Sequence, residues 1–103
     1  MKRDWNFLTN HARALLFIAD DTNCRLRDIA SALEVTERTA YSIVSDLTNG
    51  GYVAKEKQGR RNVYHVQAHL PVPDAVSRQR AIGELLDLFM DADHPGRPGT
   101  VLA

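Results

Sequence analysis

The chain has 103 residues, 44% hydrophobic and 25% charged, with 13 basic and 13 acidic side chains that cancel at neutral pH. That is the composition of an ordinary globular protein, and the length predicts one domain with a real core rather than a core plus a separate ligand-binding domain. The longest strongly apolar run, Ala14 to Ala19, is far short of the roughly 20 residues that span a bilayer, and Asp4 after Met1-Lys2-Arg3 reads against a secretory leader, so the expectation is a cytosolic protein.

The first predicted helix carries Trp5, Leu8, Ala12, Leu15, Leu16 and Ala19 as its stripe, with Phe7, His11 and Ile18 on a neighbouring face, and it ends at the turn formers Asp20-Asp21-Thr22-Asn23. His11 reads as a packed or solvated side chain, because no second ligand lies at metal spacing around it. Cys24 is the only cysteine, which excludes an internal disulfide and any zinc site with two or more cysteines. It is expected to be a small buried residue, the other reading being a redox-sensing thiol beside Arg25. Two short helices come next. Ile29, Ala30 and Leu33 form the apolar face of one, and Ala40, Ile43, Val44 and Leu47 that of the other, with Val35 plugging the turn between them. Thr36 is placed to cap the second of these helices, and Asn49-Gly50-Gly51 to stop it.

The period then changes. Residues 52–56 and 62–66 are rich in β-branched and aromatic side chains and are separated by Lys57-Gln58-Gly59-Arg60-Arg61, which predicts a hairpin with a basic tip. Lys55, Lys57, Arg60 and Arg61 against Glu56 leave this region at +3, and phosphate groups are the natural counterpart. The stiff connector His69-Leu70-Pro71-Val72-Pro73 leads to Asp74, read as the cap of a last helix extending to about residue 92. Ala75, Ile82 and Phe89 recur every seven residues on it, flanked by Leu85, Leu86, Leu88 and Met90. So apolar a face either folds back on the rest of the domain or pairs with its copy in a dimer, for which Ala75, Ile82, Leu85, Leu86 and Phe89 are the candidate contacts. Gly83 within the helix predicts a close backbone approach. Residues 93–103, which include His94-Pro95-Gly96-Arg97-Pro98-Gly99, are expected to be a disordered tail.

Charge is divided along the chain. Residues 25–67 carry seven Lys or Arg against five acids, a surplus of +2, whereas residues 74–94 stand at −3. A bipolar molecule of this kind can turn a basic face to a polyanion although its net charge is zero.

The run from Leu26 to Ala40, continued by Gly50-Gly51-Tyr52-Val53, a basic turn and a second strand, resembles the winged helix-turn-helix of MarR/ArsR-type bacterial transcription regulators over roughly residues 7 to 67. One departure is Glu34, at a turn position that such motifs commonly give to glycine. The fold expected is mainly α with a small β-hairpin (α+β): a winged helix-turn-helix over residues 1–70 with an additional C-terminal helix over 71–92. The resemblance implies that the helix over 36–49 is the recognition helix, that residues 55–63 form the wing, that a homodimer associates through terminal helices, and that repression is the commoner mode of action. A helix of that length, about 18 Å, fits a major groove about 12 Å wide. Its outward residues are Thr36, Glu37, Arg38, Thr39, Tyr41, Ser42 and Ser45, with Arg38 the candidate for a bidentate contact to guanine. Glu37 either favours the helix N-terminus electrostatically or accepts from a cytosine amino group. Ser42, Ser45 and Tyr41 suit phosphates or base edges. Lys55, Lys57, Arg60 and Arg61 suit the flanking backbone or minor groove, the plain alternative being a solvated hairpin tip. Arg25 and Arg27 are candidate phosphate clamps or simple surface residues. A two-fold dimer would set its reading helices about 34 Å apart on a pseudo-palindrome.

Asp87, Asp91 and His94 share a spacing found in helix metal sites of some ArsR-type sensors, but such a site would need further ligands from a partner, and the residues read as an acidic solvated helix end, with no metal expected. No cofactor motif, catalytic grouping or glycine-rich phosphate loop is present, and no residue announces the class of a small-molecule effector. The competing functional class is a winged helix that binds protein without reading DNA, a reading favoured by the neutral net charge and by Glu37 on the outward face.

Overall fold

The first helix begins where a threonine can cap it. In the computed structural model, which describes residues 5–89, α1 spans Asn10–Asp20, and the Thr9 hydroxyl accepts a hydrogen bond from the Ala12 amide at 3.1 Å. Thr9 itself is extended, so Trp5 and Leu8 precede the helix instead of lying on its stripe. The buried face is accordingly Ala14, Leu15 and Ile18, while Trp5 and Phe7 are exposed.

α2 (Leu26–Leu33) and α3 (Glu37–Asn49) bury the faces their periodicity predicts: Ile29, Ala30 and Leu33 on one, Ala40, Ile43, Val44 and Leu47 on the other. At the start of α2 the Asp28 carboxylate accepts from the Arg25 amide at 2.9 Å. At its end, the Arg13 guanidinium from α1 donates to the carbonyls of Ala32 and Leu33, which the helix itself leaves without partners. The turn to α3 passes through Glu34, whose φ of 59° and ψ of 46° are left-handed. Thr36 caps α3 by accepting from the Thr39 amide at 3.1 Å. The helix is stopped by Gly51 with a φ of 86°, Gly50 remaining right-handed.

The hairpin is longer and its turn tighter than the sequence predicts. β1 (Val53–Gln58) pairs antiparallel with β2 (Arg61–Val66), from Val53 opposite Val66 to Gln58 opposite Arg61. Only Gly59 and Arg60 remain in the loop, and the φ of 65° at Gly59 supplies the handedness that a two-residue hairpin loop needs. Val53 and Tyr64 at the base of the hairpin join the core, whereas the tip is exposed except for Val63. The described residues therefore form a small α+β fold with four α-helices and one two-stranded antiparallel sheet.

The C-terminal part departs from expectation. Asp74 does act as a cap, accepting from the Val76 amide at 3.0 Å, but the element it caps is a single 3-10 turn over Ala75–Ser77. Arg78 and Gln79 then take φ values of 56° and 62°, and two successive left-handed residues end any right-handed helix. Helix α4 runs over Ile82–Phe89, restarted by the Glu84 carboxylate accepting from the Ala81 amide at 3.2 Å. Ala75 is thus exposed on a turn and shares no helix with Ile82 and Phe89.

α4 is fastened to the segment after the hairpin. Ile82 donates to the Leu70 carbonyl at 2.7 Å and Gly83 to the Ala68 carbonyl at 2.8 Å. A Cβ at Gly83 would lie 3.1 Å from that of Ala68, so the expected close approach is made within the chain. Ile82 and Leu86 belong to the same buried cluster as α1, α2 and α3. This corrects their assignment to a dimer contact: the face folds back, because the core offers it apolar cover. Leu85 is half-buried, while Leu88 and Phe89 are exposed. The end of the helix near residue 92, Met90, the tail over 93–103, and Asp91 and His94 lie outside the described residues. No helix among those described is long and apolar enough to cross a membrane.

Candidate functional site

A groove of about 700 Å³ opens between α3 and the hairpin, with the start of α2 as its third wall. The outward edge of α3 contributes Tyr41, Ser45 and Asn49, spaced four apart and therefore in line along the helix. From the hairpin come Lys55, Arg60, Arg61 and Asn62, and from the start of α2 comes Arg25. Four cations thus face one concavity, and among the described residues no acidic side chain lines it.

Three acids of the surrounding elements have partners of their own. Asp46 on α3 takes a hydrogen bond from the His11 imidazole of α1 at 2.8 Å, on the far side of the helix from the groove. Glu56 on β1 pairs with His65 at 3.0 Å, and Asp28 is engaged with the Arg25 amide. Sequence spacing predicted His11 as packed or solvated, and the partner 35 positions away was not legible from it.

Of the residues expected to form a site, Arg25, Tyr41, Ser45, Lys55, Arg60 and Arg61 line the groove together. Arg27, Arg38, Ser42 and Lys57 lie outside its lining, all four of them exposed. Thr36 and Thr39 stand at the N-terminal end of α3 with their hydroxyls 3.0 Å apart, occupied with the cap. Arg61 also donates to the backbone carbonyl of Asn23, ahead of α2. Asn49 and Asn62 are groove residues that sequence reasoning passed over. The first was legible in principle, as the next member of the series Tyr41, Ser45.

Cys24 forms part of the groove floor and is only 2% exposed. Burial, with the nearby carboxylates of Asp21 and Asp28, pushes its thiol up to about 11. A thiol so protonated at neutral pH is a poor nucleophile, which opposes the redox-sensor reading. Tyr64 beside it is also raised, chiefly by burial. Among the described residues no group of three or more His, Cys, Asp or Glu side chains is placed to hold a metal ion.

A second, apolar cavity of about 250 Å³ lies between α1, the Val72-Pro73 segment and α4, lined by Leu8, Ala12, Leu16, Leu85 and Phe89 among others. Polar groups at its rim already have partners: Thr9 caps α1, His11 holds Asp46 and Asp74 caps the 3-10 turn.

Comparison of the chain with known protein families gives no match, and neither does comparison with characterised proteins.

Proposed function

We propose that the chain is a winged helix-turn-helix that binds duplex DNA sequence-specifically as a cytosolic transcription regulator, without catalytic activity. The observation that carries this reading is the groove between α3 and the hairpin, with four cations and no acid in its lining. A phosphodiester strand is the ligand whose shape and charge suit such a concavity. With that strand between helix and hairpin, α3 enters the major groove on one side, and Arg38 and Ser42 on its exposed surface face base edges. The wing lies over the flanking backbone or minor groove.

Self-association belongs to the same proposal, with a changed set of contacts. Ile82 and Leu86 are used internally, so the edge offered to a second copy is Leu85, Leu88 and Phe89 on α4. Leu88 is 74% and Phe89 51% exposed, unusual for large apolar side chains brought side by side on one short helix.

The test is fluorescence anisotropy of the full chain with a random-sequence duplex pool across salt concentrations, and then sequencing of the bound fraction. If three or all four of the groove cations each neutralise one phosphate, log K falls against log salt with a slope of about −2.7 to −3.6 per protomer, and an inverted repeat is enriched. Binding that is absent even at low salt would refute the reading and favour the protein-binding alternative.

A further inference from the structure

The hairpin is a lever held at two points. At its base, Val53 and Tyr64 are in the core, and the Tyr64 amide donates to the carbonyl of Thr22 at 3.2 Å, so the turn after α1 lies along the free edge of β2. Three residues further out, at the closing pair Gln58 opposite Arg61, the Arg61 guanidinium donates to the carbonyl of Asn23 in the same turn. The two strand positions are about 10 Å apart. Among the described residues, no other side chain of 54–62 reaches off the hairpin in a hydrogen bond or ion pair. Gln58 bonds Glu56, and Glu56 bonds His65, all within the two strands.

A two-stranded ribbon has little stiffness of its own. An attachment at its base alone leaves the angle of the tip free, whereas a second attachment near the tip fixes it. Because Lys55, Arg60 and Asn62 form one wall of the groove and α3 the other, the angle of the hairpin sets the width of the groove.

We propose that Arg61 is a positioning residue: its bond to Asn23 latches the hairpin and fixes the groove for a nucleic-acid strand, while Arg25, Lys55 and Arg60 make the phosphate contacts. The proposal rests on the DNA-binding reading above and changes the role of Arg61 within it. Arg60, in the loop itself, has no such tie to the described residues.

The experiment compares Arg61→Ala, Arg61→Lys and Arg60→Ala in the full chain, with two readouts taken well below each variant's unfolding transition. The first is amide hydrogen exchange at Tyr64 and along the tip in the DNA-free protein. The second is affinity for a duplex recovered by the selection, as a function of salt. Arg61→Ala is expected to speed hairpin exchange and weaken DNA binding, each about tenfold, and Arg61→Lys, which can still donate to the carbonyl, to restore most of both. Arg60→Ala is expected to leave exchange unchanged and to flatten the salt slope by about 0.9. Unchanged exchange in Arg61→Ala, with a slope loss like that of Arg60→Ala, would make Arg61 a direct phosphate contact and overturn the proposal. Faster exchange with unaltered affinity would also overturn it, leaving a bond that only stabilises the fold. If the wild-type chain binds no duplex, the DNA reading falls, and the exchange data still decide whether the latch exists.

Discussion

Glu34 occupies the left-handed region at the turn between α2 and α3, and replacing it by glycine should stabilise the protein. An L-residue in that conformation costs about 1–2 kcal/mol. Glycine removes the cost but returns about 0.4–1 kcal/mol through the greater freedom of the unfolded chain. Glu34 is exposed and makes no side-chain hydrogen bond or ion pair among the described residues, so nothing else is lost. The net gain for Glu34→Gly is about 0.5–1 kcal/mol, a rise in Tm of about 3–6 °C for a domain of this size. A carboxylate at the C-terminal end of α2 is also unfavourable to the helix dipole, so Glu34→Gln serves as a control that removes charge without relaxing the backbone. Thermal unfolding monitored by circular dichroism should rank Gly above Gln, and Gln at or slightly above Glu. A Gly variant no more stable than Gln would refute the backbone argument and assign any gain to charge.

Four further outcomes are expected. Ile18 is fully buried, and Ile18→Ala should cost about 2–5 kcal/mol in denaturant unfolding by leaving a cavity. The Cys24 thiol, raised from 9.0 to about 11, is neutral in the folded state where the unfolded chain begins to ionise. Its contribution to stability is complete below about pH 9 and is lost as pH rises towards 11, by roughly 2–3 kcal/mol; Cys24→Ala should make the alkaline limb shallower, and native Cys24 should react with iodoacetamide far more slowly than the unfolded chain. The raised Tyr64 acts in the same direction and should keep part of the limb in that variant. Arg38→Ala should weaken binding to the selected duplex by about 1–3 kcal/mol and relax the preference at one base pair, with little change in salt slope, whereas a uniform loss across sequences would make it a phosphate contact. Leu88→Glu should shift the chain towards monomer in sedimentation velocity and leave the unfolding free energy within about 1 kcal/mol of wild type, since the side chain is exposed.

Much of the helical fold was legible because periodicity and capping agree there. The apolar positions of α2 and α3 are unambiguous, Thr36 announces a helix start, and the change of period after Gly51 announces the strands. Where the reading failed, local signals were weak or ambiguous. Thr9 is as good a cap as Thr36, but Trp5 and Leu8 extended the stripe in a plausible phase. The break at Arg78 and Gln79 carries neither glycine nor proline, so Ala75 looked continuous with Ile82. An apolar helical face does not name its partner, and Ile82 and Leu86 would have the same spacing whether they met a second chain or their own core. In the groove, composition indicated the cations, but the ties that orient them join distant positions: Arg61 to Asn23 across 38 residues, and His11 to Asp46 across 35.

The attachment of α4 bears on how this protein can be cut or grafted. The chain folds α4 onto the backbone just behind the hairpin, through Leu70 and Ala68, and closes the side of α1 with Ile82 and Leu86. The first 70 residues are therefore not a portable module. Fused to another protein without α4, they would bring an open apolar seam along α1, and an expression host would meet that seam as an aggregation surface. Transplanting the groove means transplanting everything through Phe89.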